Sequence, residues 1–247
     1  MALVGSRATD EYGREMARRL ALGLARAGVS IVSGGALGVD GAAHLAALEA
    51  GGHTVAVLGS GLDVPSPPSN RPLLRRILAQ GGAVLSEHED EEPPTRWSFP
   101  RRNRLISALS DAVVVVRAGP RSGALITAAE ARRQGVPLFA VPGDVDQELS
   151  QGPIALLREG ARLATGAADL LTHLGLEVGA QIELALPELA PAPRALFAAL
   201  RAAPRHADEL ARAARLGPGP ALAGLLQLEL LGLAEQRPGL RFCRRAA

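Results

Sequence analysis

Short apolar runs alternate with longer segments in which apolar residues recur at helical spacing. The apolar runs cover residues 2–5, 29–32, 54–58, 83–86, 112–116 and 138–141. The segments with helical spacing cover residues 11–27, 42–48, 71–80, 101–109, 122–134, 154–159 and 167–174. Strands that alternate with helices in this way predict an α/β fold, a Rossmann-like, doubly wound and mostly parallel sheet.

The pattern changes in the last quarter of the chain. Residues 175–193 lose the periodicity, and Leu-Pro-Glu-Leu-Ala-Pro-Ala-Pro at 186–193 is typical of a linker. Three helical segments and a hairpin around Pro238-Gly239 then predict a small winged-helix domain. The predicted organisation is a Rossmann-like domain at 1–174, a linker at 175–193 and a winged helix at 194–247.

Charge and composition narrow the classes of partner. The net charge is only +2, yet all 27 basic residues are arginines. Arginine forms paired hydrogen bonds with phosphate, so a basic patch here would suit a nucleic-acid backbone, although coding bias explains the composition equally well. The single cysteine, Cys243, excludes an internal disulfide. With no apolar leader and no long apolar run, we expect a cytoplasmic protein with no membrane association.

The stretch from Ser33 to Asp40 joins a strand to a helix through a glycine-rich loop. Gly34 and Gly38 would permit close backbone approach, and the first amides of a helix bind anions. The loop does not match the dinucleotide pattern G-x-G-x-x-G, because Ala36 and Val39 occupy the other glycine positions. It is therefore either a phosphate-binding loop of another α/β family or a tight turn needed for packing.

Cationic residues follow the predicted strands. Arg7 comes directly after the first strand, where it would reach a phosphate or pair with Asp10 or Glu11. The segment 101–104 places Arg102, Asn103 and Arg104 at a helix start, where cations oppose the helix dipole unless an anion is present or water solvates them. Arg7, Arg102 and Arg104 are predicted to neutralise one phosphate each.

Further candidates are polar or aromatic. Ser122 and Gly123 begin a helix and could donate to phosphate, with an ordinary N-cap as the alternative for Ser122. Rings beside the predicted crevice could stack on bases, although core packing is preferred for Phe99; they are Tyr12, Trp97 and Phe99.

Sites of other kinds are not indicated. Asp40 and His44 lie one helical turn apart and are interpreted as a salt-linked pair rather than a catalytic dyad. The histidines lack metal-site spacing, and the loops offer almost no nucleophile and base pairs. The prediction is a pocket that holds phosphates, with no catalytic, cofactor or metal residues.

Five segments, in order, resemble the signature segments of the DNA-processing protein A family (DprA, also called Smf). They are Val4-Gly5-Ser6-Arg7 with Tyr12-Gly13, Ser33-Gly34-Gly35-Ala36-x-Gly38-x-Asp40, Phe99-Pro100-x-Arg102-Asn103-Arg104, Ser122-Gly123-Ala124-Leu125-Ile126-Thr127, and Val141-Pro142-Gly143. The resemblance covers roughly residues 1–174, and the C-terminal piece resembles the family's winged helix.

The resemblance implies a mediator that binds single-stranded DNA, protects it during natural transformation and helps to load the recombinase RecA. It also implies a homodimer through the Rossmann-like domain, with residues 152–162 contributing. The family's single-strand pocket would comprise Ser6, Arg7, Gly34, Gly38, Arg102, Asn103, Arg104, Ser122 and Gly123.

Two features depart from the family pattern. The sequence begins at the first strand, without the N-terminal helical domain of the sterile-alpha-motif type that many members carry. The predicted third helix of the winged helix, at 219–232, has no arginine. We therefore expect this domain to bind protein or duplex DNA weakly, through Arg212, Arg215, Arg241, Arg244 and Arg245 if at all.

Two other functions remain open. Ile126-Thr127-x-x-Glu130 partly resembles the helix start of phosphoribohydrolases of the LOG type, in which Glu130 would be a general base, although it could as easily pair with Arg133 or face solvent. A sensor of small nucleotides with no role on DNA is the other alternative.

Overall fold

A computed structural model describes residues 1–176, 189–201 and 204–244 of the chain. The chain divides into two compact units, Met1–Gly179 and Ala180–Ala247, and the division falls within the predicted linker. In the described residues, no helix is both long enough and apolar enough to cross a bilayer.

The first unit is built on a seven-stranded parallel sheet with the order β4-β3-β2-β1-β5-β6-β7. Its strands are β1 Ala2–Val4, β2 Ile31–Ser33, β3 Thr54–Val57, β4 Ala83–Leu85, β5 Val113–Val115, β6 Leu138–Ala140 and β7 Arg162–Leu163. From β1 to β4 each strand lies next to the one before it, toward one edge of the sheet. The chain then crosses to β5, which lies on the other side of β1. The order therefore reverses between β1 and β5, where doubly wound sheets bind ligands.

Helices cover both faces of this sheet. They are α1 Glu11–Arg26, α2 Val39–Glu49, α3 Arg71–Ala79, α4 Ser98–Ala108, α5 Ala124–Gln134, α6 Glu148–Arg158 and α7 Ala167–His173. Alternate residues of a strand point to opposite faces. Accordingly Leu3 and Val114 pack with α1, α2 and α7, whereas Val4 and Val115 pack with α4, α5 and α6. The predicted α/β fold is confirmed.

The second unit is a winged helix. Its elements are α8 Pro191–Ala199, β8 Arg205–His206, α9 Ala207–Ala213, α10 Pro218–Leu230, β9 Ala234–Arg237 and β10 Arg241–Arg244. The strands form a three-stranded antiparallel sheet in the order β8-β10-β9. Leu196, Leu225 and Phe242 are at the centre of its own apolar core.

β7 and the start of α8 differ from the sequence prediction. β7 was not predicted, because two residues are too few to show a strand pattern. α8 begins at Pro191, within the predicted linker, because proline is tolerated in the first turn of a helix. Of that linker, residues 177–188 lie outside the described residues.

Two buried charged residues, Asp40 and Arg102, connect the glycine loop with α4 through its backbone. Arg102 is 5% exposed and its Nη1 donates to the carbonyl oxygens of Gly34, at 2.7 Å, and Val57. Asp40 accepts the amides of Gly34 and Ala36, at 3.1 and 3.4 Å. Burial raises the pKa of Asp40, and the positive charge of Arg102 opposes that rise. The same burial lowers the pKa of Arg102 to about 10, so the guanidinium stays charged at neutral pH.

Gly34 lies between the two charged groups. A Cβ at this position would lie 2.6 Å from an Arg102 Nη atom and 2.7 Å from Asp40 Oδ2. Asp40 therefore accepts backbone amides and feels the nearby positive charge of Arg102, and it forms no ion pair with His44 in the described residues. The interpretation of Asp40 and His44 as a salt-linked pair is wrong.

His44 is fully buried in a neutral form. Its Nδ1 lies 2.7 Å from Thr54 Oγ1, and the Thr54 hydroxyl donates to the carbonyl of Ile31. The hydrogen therefore resides on Nδ1, and Nε2 has no partner in the described part of the chain. Burial lowers the pKa of His44 to about 3, and the positive charge of Arg102 acts in the same direction.

We expect Arg102→Met to destabilise the first unit by about 3–5 kcal/mol, because Asp40 keeps a buried charge without its partner. Urea unfolding followed by circular dichroism measures the loss. Asp40→Asn combined with Arg102→Met should cost less than the sum of the single changes. A loss below about 1 kcal/mol for Arg102→Met would contradict the role given to this pair.

The second prediction concerns acid stability. Because the folded pKa of His44 lies below the ordinary value of 6.5, its contribution to stability is present above pH 6.5 and is lost as the pH falls toward 3. Between about pH 7 and pH 5 the wild type should lose about 2 kcal/mol more than His44→Gln, which cannot titrate there. Parallel pH dependences for the two proteins would rule this out.

Candidate functional site

A cavity of about 790 Å³ opens at the carboxyl ends of β1 and β5, where the strand order reverses. Three segments provide most of its wall: the loop after β1, the first half of α4 with the residues before it, and the loop that leads into α5. The polar and charged residues that line it are Ser6, Arg7, Asp40, Arg96, Arg102, Asn103, Arg121, Ser122, Thr127 and Glu148.

Arg7 is an exposed cation that lines this cavity. Its side chain is exposed, and its guanidinium carbon lies 4.9 Å from the centre of the Phe99 ring. In the described residues no carboxylate lies within salt-bridge range of Arg7, so the proposed pairing with Asp10 or Glu11 does not form. Asp10 pairs with Arg117 instead.

Phe99 forms part of the cavity wall. Its ring is half-buried, beneath Arg7 and against Gly59, where a Cβ would lie 3.0 Å from Phe99 Cδ1. The prediction preferred core packing for this ring, whereas it is partly exposed to the cavity. An aromatic face next to an unpaired guanidinium offers stacking and charge to the same ligand.

Two further cations line the cavity and were not singled out from the sequence. Arg96 and Arg121 are exposed lining residues, and Arg96 lies over the ring of Trp97 at 4.8 Å. Arg96 follows an acidic, proline-containing segment and Arg121 follows a proline in a loop, so no helical or strand pattern marked either. Only their position beside the signature segments could have drawn attention to them.

Backbone amides at the cavity add hydrogen-bond donors to the arginine side chains. α5 begins at the cavity, and its N-cap is Gly123. In the described chain the amides of Arg7 and Gly123 have no acceptor. The Asn103 amide group donates to the Gly123 carbonyl at 3.1 Å, which ties α4 to the start of α5. Bare amides at a helix N-terminus bind anions.

Not every predicted site residue lines the cavity. Ser6, Arg7, Arg102, Asn103, Ser122 and Gly123 do, whereas Gly34, Gly38 and Arg104 do not. Gly38 has φ of +77°, and a Cβ there would lie 2.3 Å from the Ser6 carbonyl. The absence of a side chain at Gly34 leaves room for Arg102 and Asp40, and its absence at Gly38 leaves room for the loop after β1. Both glycines therefore serve packing within the protein.

Arg102 and Arg104 have partners within the protein. The donors of Arg102 are directed to backbone carbonyls and to Asn103, so it supports the cavity from behind. Arg104 pairs with Glu87 outside the cavity. In its place the structure gathers Arg96 and Arg121 with Arg7.

A second cluster holds three loops in place. Arg117 is 4% exposed and pairs with Asp10 at the start of α1. It also donates to Ser150 in α6 and lies 4.7 Å from the centre of the Tyr12 ring. The Tyr12 hydroxyl in turn donates to the Pro142 carbonyl at 2.9 Å. Tyr12 is thus engaged beside the cavity rather than lining it.

The chemistry of the site favours binding. Glu130, the possible general base, pairs with Arg133 and does not line the cavity. Within the described residues no cluster of three or more His, Cys, Asp or Glu could hold a metal. A second cavity of about 500 Å³ at the amino ends of the strands is lined mainly by apolar side chains, and no arginine is among its described lining residues.

Comparisons with known proteins identify the family of the chain. The family model described as DNA recombination-mediator protein A matches residues 1–175, and the DprA winged helix domain matches residues 182–239. A putative DNA processing protein DprA from Mycobacterium tuberculosis is 46% identical over 245 residues, covering 96% of this chain and 62% of that protein. The chain thus spans about three fifths of that relative's length.

Two solved structures are similar to the first unit. The DNA processing protein A of Streptococcus pneumoniae has 43% identity and a TM-score of 0.64, covering 69% of this chain and 60% of that one. The DNA processing protein A of Helicobacter pylori, described for its single-stranded DNA binding mode, has 36% identity and a TM-score of 0.64. The match covers 70% of this chain and 78% of that one. The chain belongs to the DNA recombination-mediator protein A family, whose members are also named DprA and Smf.

Proposed function

We propose that this protein binds single-stranded DNA in the cavity at the β1 and β5 strand ends. The observation that carries the proposal is the exposed Arg7 guanidinium over Phe99, without a carboxylate partner in the described residues. A charged group and an aromatic face at one place suit a polymer that presents phosphates and unpaired bases together.

The phosphates would be bound by two kinds of donor. Arg7, Arg96 and Arg121 provide charge, and the amides of Arg7 and Gly123 provide directed hydrogen bonds. These groups contact the backbone of a nucleic acid and carry little information about base identity. Binding should therefore tolerate different sequences and weaken with salt.

Single strands are favoured over duplex DNA because the aromatic ring needs an exposed base. Phe99 lies in the first turn of α4 and forms part of the cavity wall, so a base must leave its stack to reach it. Glu148 also lines the cavity, and a carboxylate there would accept from a base amino group better than it would tolerate a phosphate.

Membership of the family supports a wider role. As a member, the chain would act as a mediator rather than an enzyme, protecting incoming DNA and loading the RecA recombinase during natural transformation. We place this activity in the cytoplasm. A homodimer would form through the Rossmann-like domain, where β7 is an edge strand and its Leu163 is 51% exposed.

Arg7→Ala should weaken binding of a fluorescent oligothymidylate at least tenfold at low salt. The variant loses the contact between the guanidinium and a phosphate, next to the base that stacks on Phe99. It should also reduce the slope of log K against log salt by about 0.7. Fluorescence anisotropy at several salt concentrations measures both effects.

Arg104→Ala is the matched control, since it removes one arginine that pairs with Glu87 outside the cavity. Its affinity should stay within about twofold of the wild type. If Arg7→Ala binds as the wild type does, or if Arg104→Ala loses as much, the cavity is not the DNA site.

Recombinase loading makes a separate prediction. On single strands coated with a single-strand-binding protein, the wild type should shorten the lag before the ATPase activity of RecA appears, because it delivers the recombinase to DNA. Arg7→Ala should not shorten that lag at concentrations where it leaves the DNA unbound. An unchanged lag with the wild type would rule out the mediator role while leaving DNA binding intact.

A further inference from the structure

The outer face of α3 carries an unusual concentration of positive charge. Arg71, Arg75 and Arg76 are all exposed, while Leu74 and Ile77 face the core. The helix contains no acidic residue, so no intrahelical partner offsets these charges.

Several arginines elsewhere in the protein have a carboxylate partner. Arg18, Arg132, Arg133, Arg205 and Arg237 each pair with a glutamate. For the arginines of α3, no carboxylate of the described chain lies within salt-bridge range. Arg71 is moreover the first residue of the helix, where a cation opposes the helix dipole.

The helix begins beside the glycine loop and the cavity. Asn70, which precedes α3, donates its side-chain amide to the Gly35 carbonyl at 2.9 Å. The next residue of that loop, Ala36, lines the cavity. α3 therefore starts near the cavity rim and runs antiparallel to the strands, away from it. Arg71 and Arg75 lie one turn apart, about 6 Å along the helix axis.

The acidic segment 87–92 does not neutralise this face. It follows β4, and its described ion pairs are those of Glu87 with Arg104 and of Glu92 with His88. These contacts direct acidic side chains toward α4 and within their own loop. The arginine face of α3 remains available to an external polyanion.

We propose that Arg71, Arg75 and Arg76 form a second contact surface for the same DNA strand, which binds phosphates of nucleotides that extend beyond the cavity. The inference rests on the proposed function, because it takes the cavity as the place from which the strand continues. Since exposed arginines on a regular helix offer no base-reading pocket, this surface recognises the backbone alone.

The test compares a short oligothymidylate of about 6 nucleotides with a long one of about 24 nucleotides, each with a 5′ fluorophore. Arg71→Gln combined with Arg75→Gln should bind the short strand within twofold of the wild type. It should bind the long strand about tenfold more weakly at low salt, and its salt slope should be smaller by about 1.4.

Three controls accompany this variant. Arg19→Gln with Arg26→Gln removes the same charge from exposed positions on α1 and should bind both strands as the wild type does. Arg71→Lys with Arg75→Lys keeps the charge and should retain most of the long-strand affinity. Melting temperatures equal to that of the wild type would show that the variants are folded, so that a loss of binding is not a loss of structure.

The outcomes separate this inference from the proposed function. If the wild type prefers the long strand and the glutamine variant of α3 alone loses that preference, the second surface is supported. If that variant binds the long strand like the wild type, or if the α1 control loses as much, the second surface is wrong although the cavity still binds DNA. If the wild type binds neither strand, both proposals fail.

Discussion

The site depends on the buried attraction between Arg102 and Asp40. Arg102 is presented by α4, and Asp40 lies in the first turn of α2, after the glycine loop. Their interaction brings together two elements that pack on opposite faces of the sheet, at the point where β2 and β3 end. A buried charge pair of this kind adds little net stability, but each charge becomes costly without the other. Because Arg102 also donates to the Gly34 carbonyl, the position of α4 is tied to that of the glycine loop.

The closeness of Arg102 and Asp40 explains why glycines are needed beside these charged residues. With Gly34 between the carboxylate and the guanidinium, a side chain would force them apart. With Gly38 against the carbonyl of Ser6, the loop after β2 lies directly on the loop after β1. Arg7 is thereby held at the cavity rim. The glycine loop thus acts on the site indirectly, through the position of its neighbours.

The arginines of this lysine-free chain fall into distinct roles. Arg102 and Arg117 are buried and bind loops to one another. Arg104 and Arg132 form exposed ion pairs, which contribute little to stability. Arg7 and Arg121 line the cavity without a carboxylate partner in the described chain, and this third group can bind an external phosphate. In the winged helix the exposed face of α10 carries Leu222, Leu226 and Leu230 rather than cations, which makes it a poor phosphate-binding surface.

The sequence determined the architecture because alternating periodicity is a local property. Runs such as 112–116 predicted buried strands, the segments between them predicted helices, and the glycine and arginine motifs at strand ends predicted one anion-binding edge. Tertiary structure decided which arginine serves which purpose, because the partner of a long side chain is fixed by distant residues. Arg102 and Arg104 are two positions apart, yet one is buried against Gly34 and Val57 and the other pairs with Glu87. Arg96 and Arg121 carry no local signal, and they reach the cavity only because strand order brings the ends of β1 and β5 together.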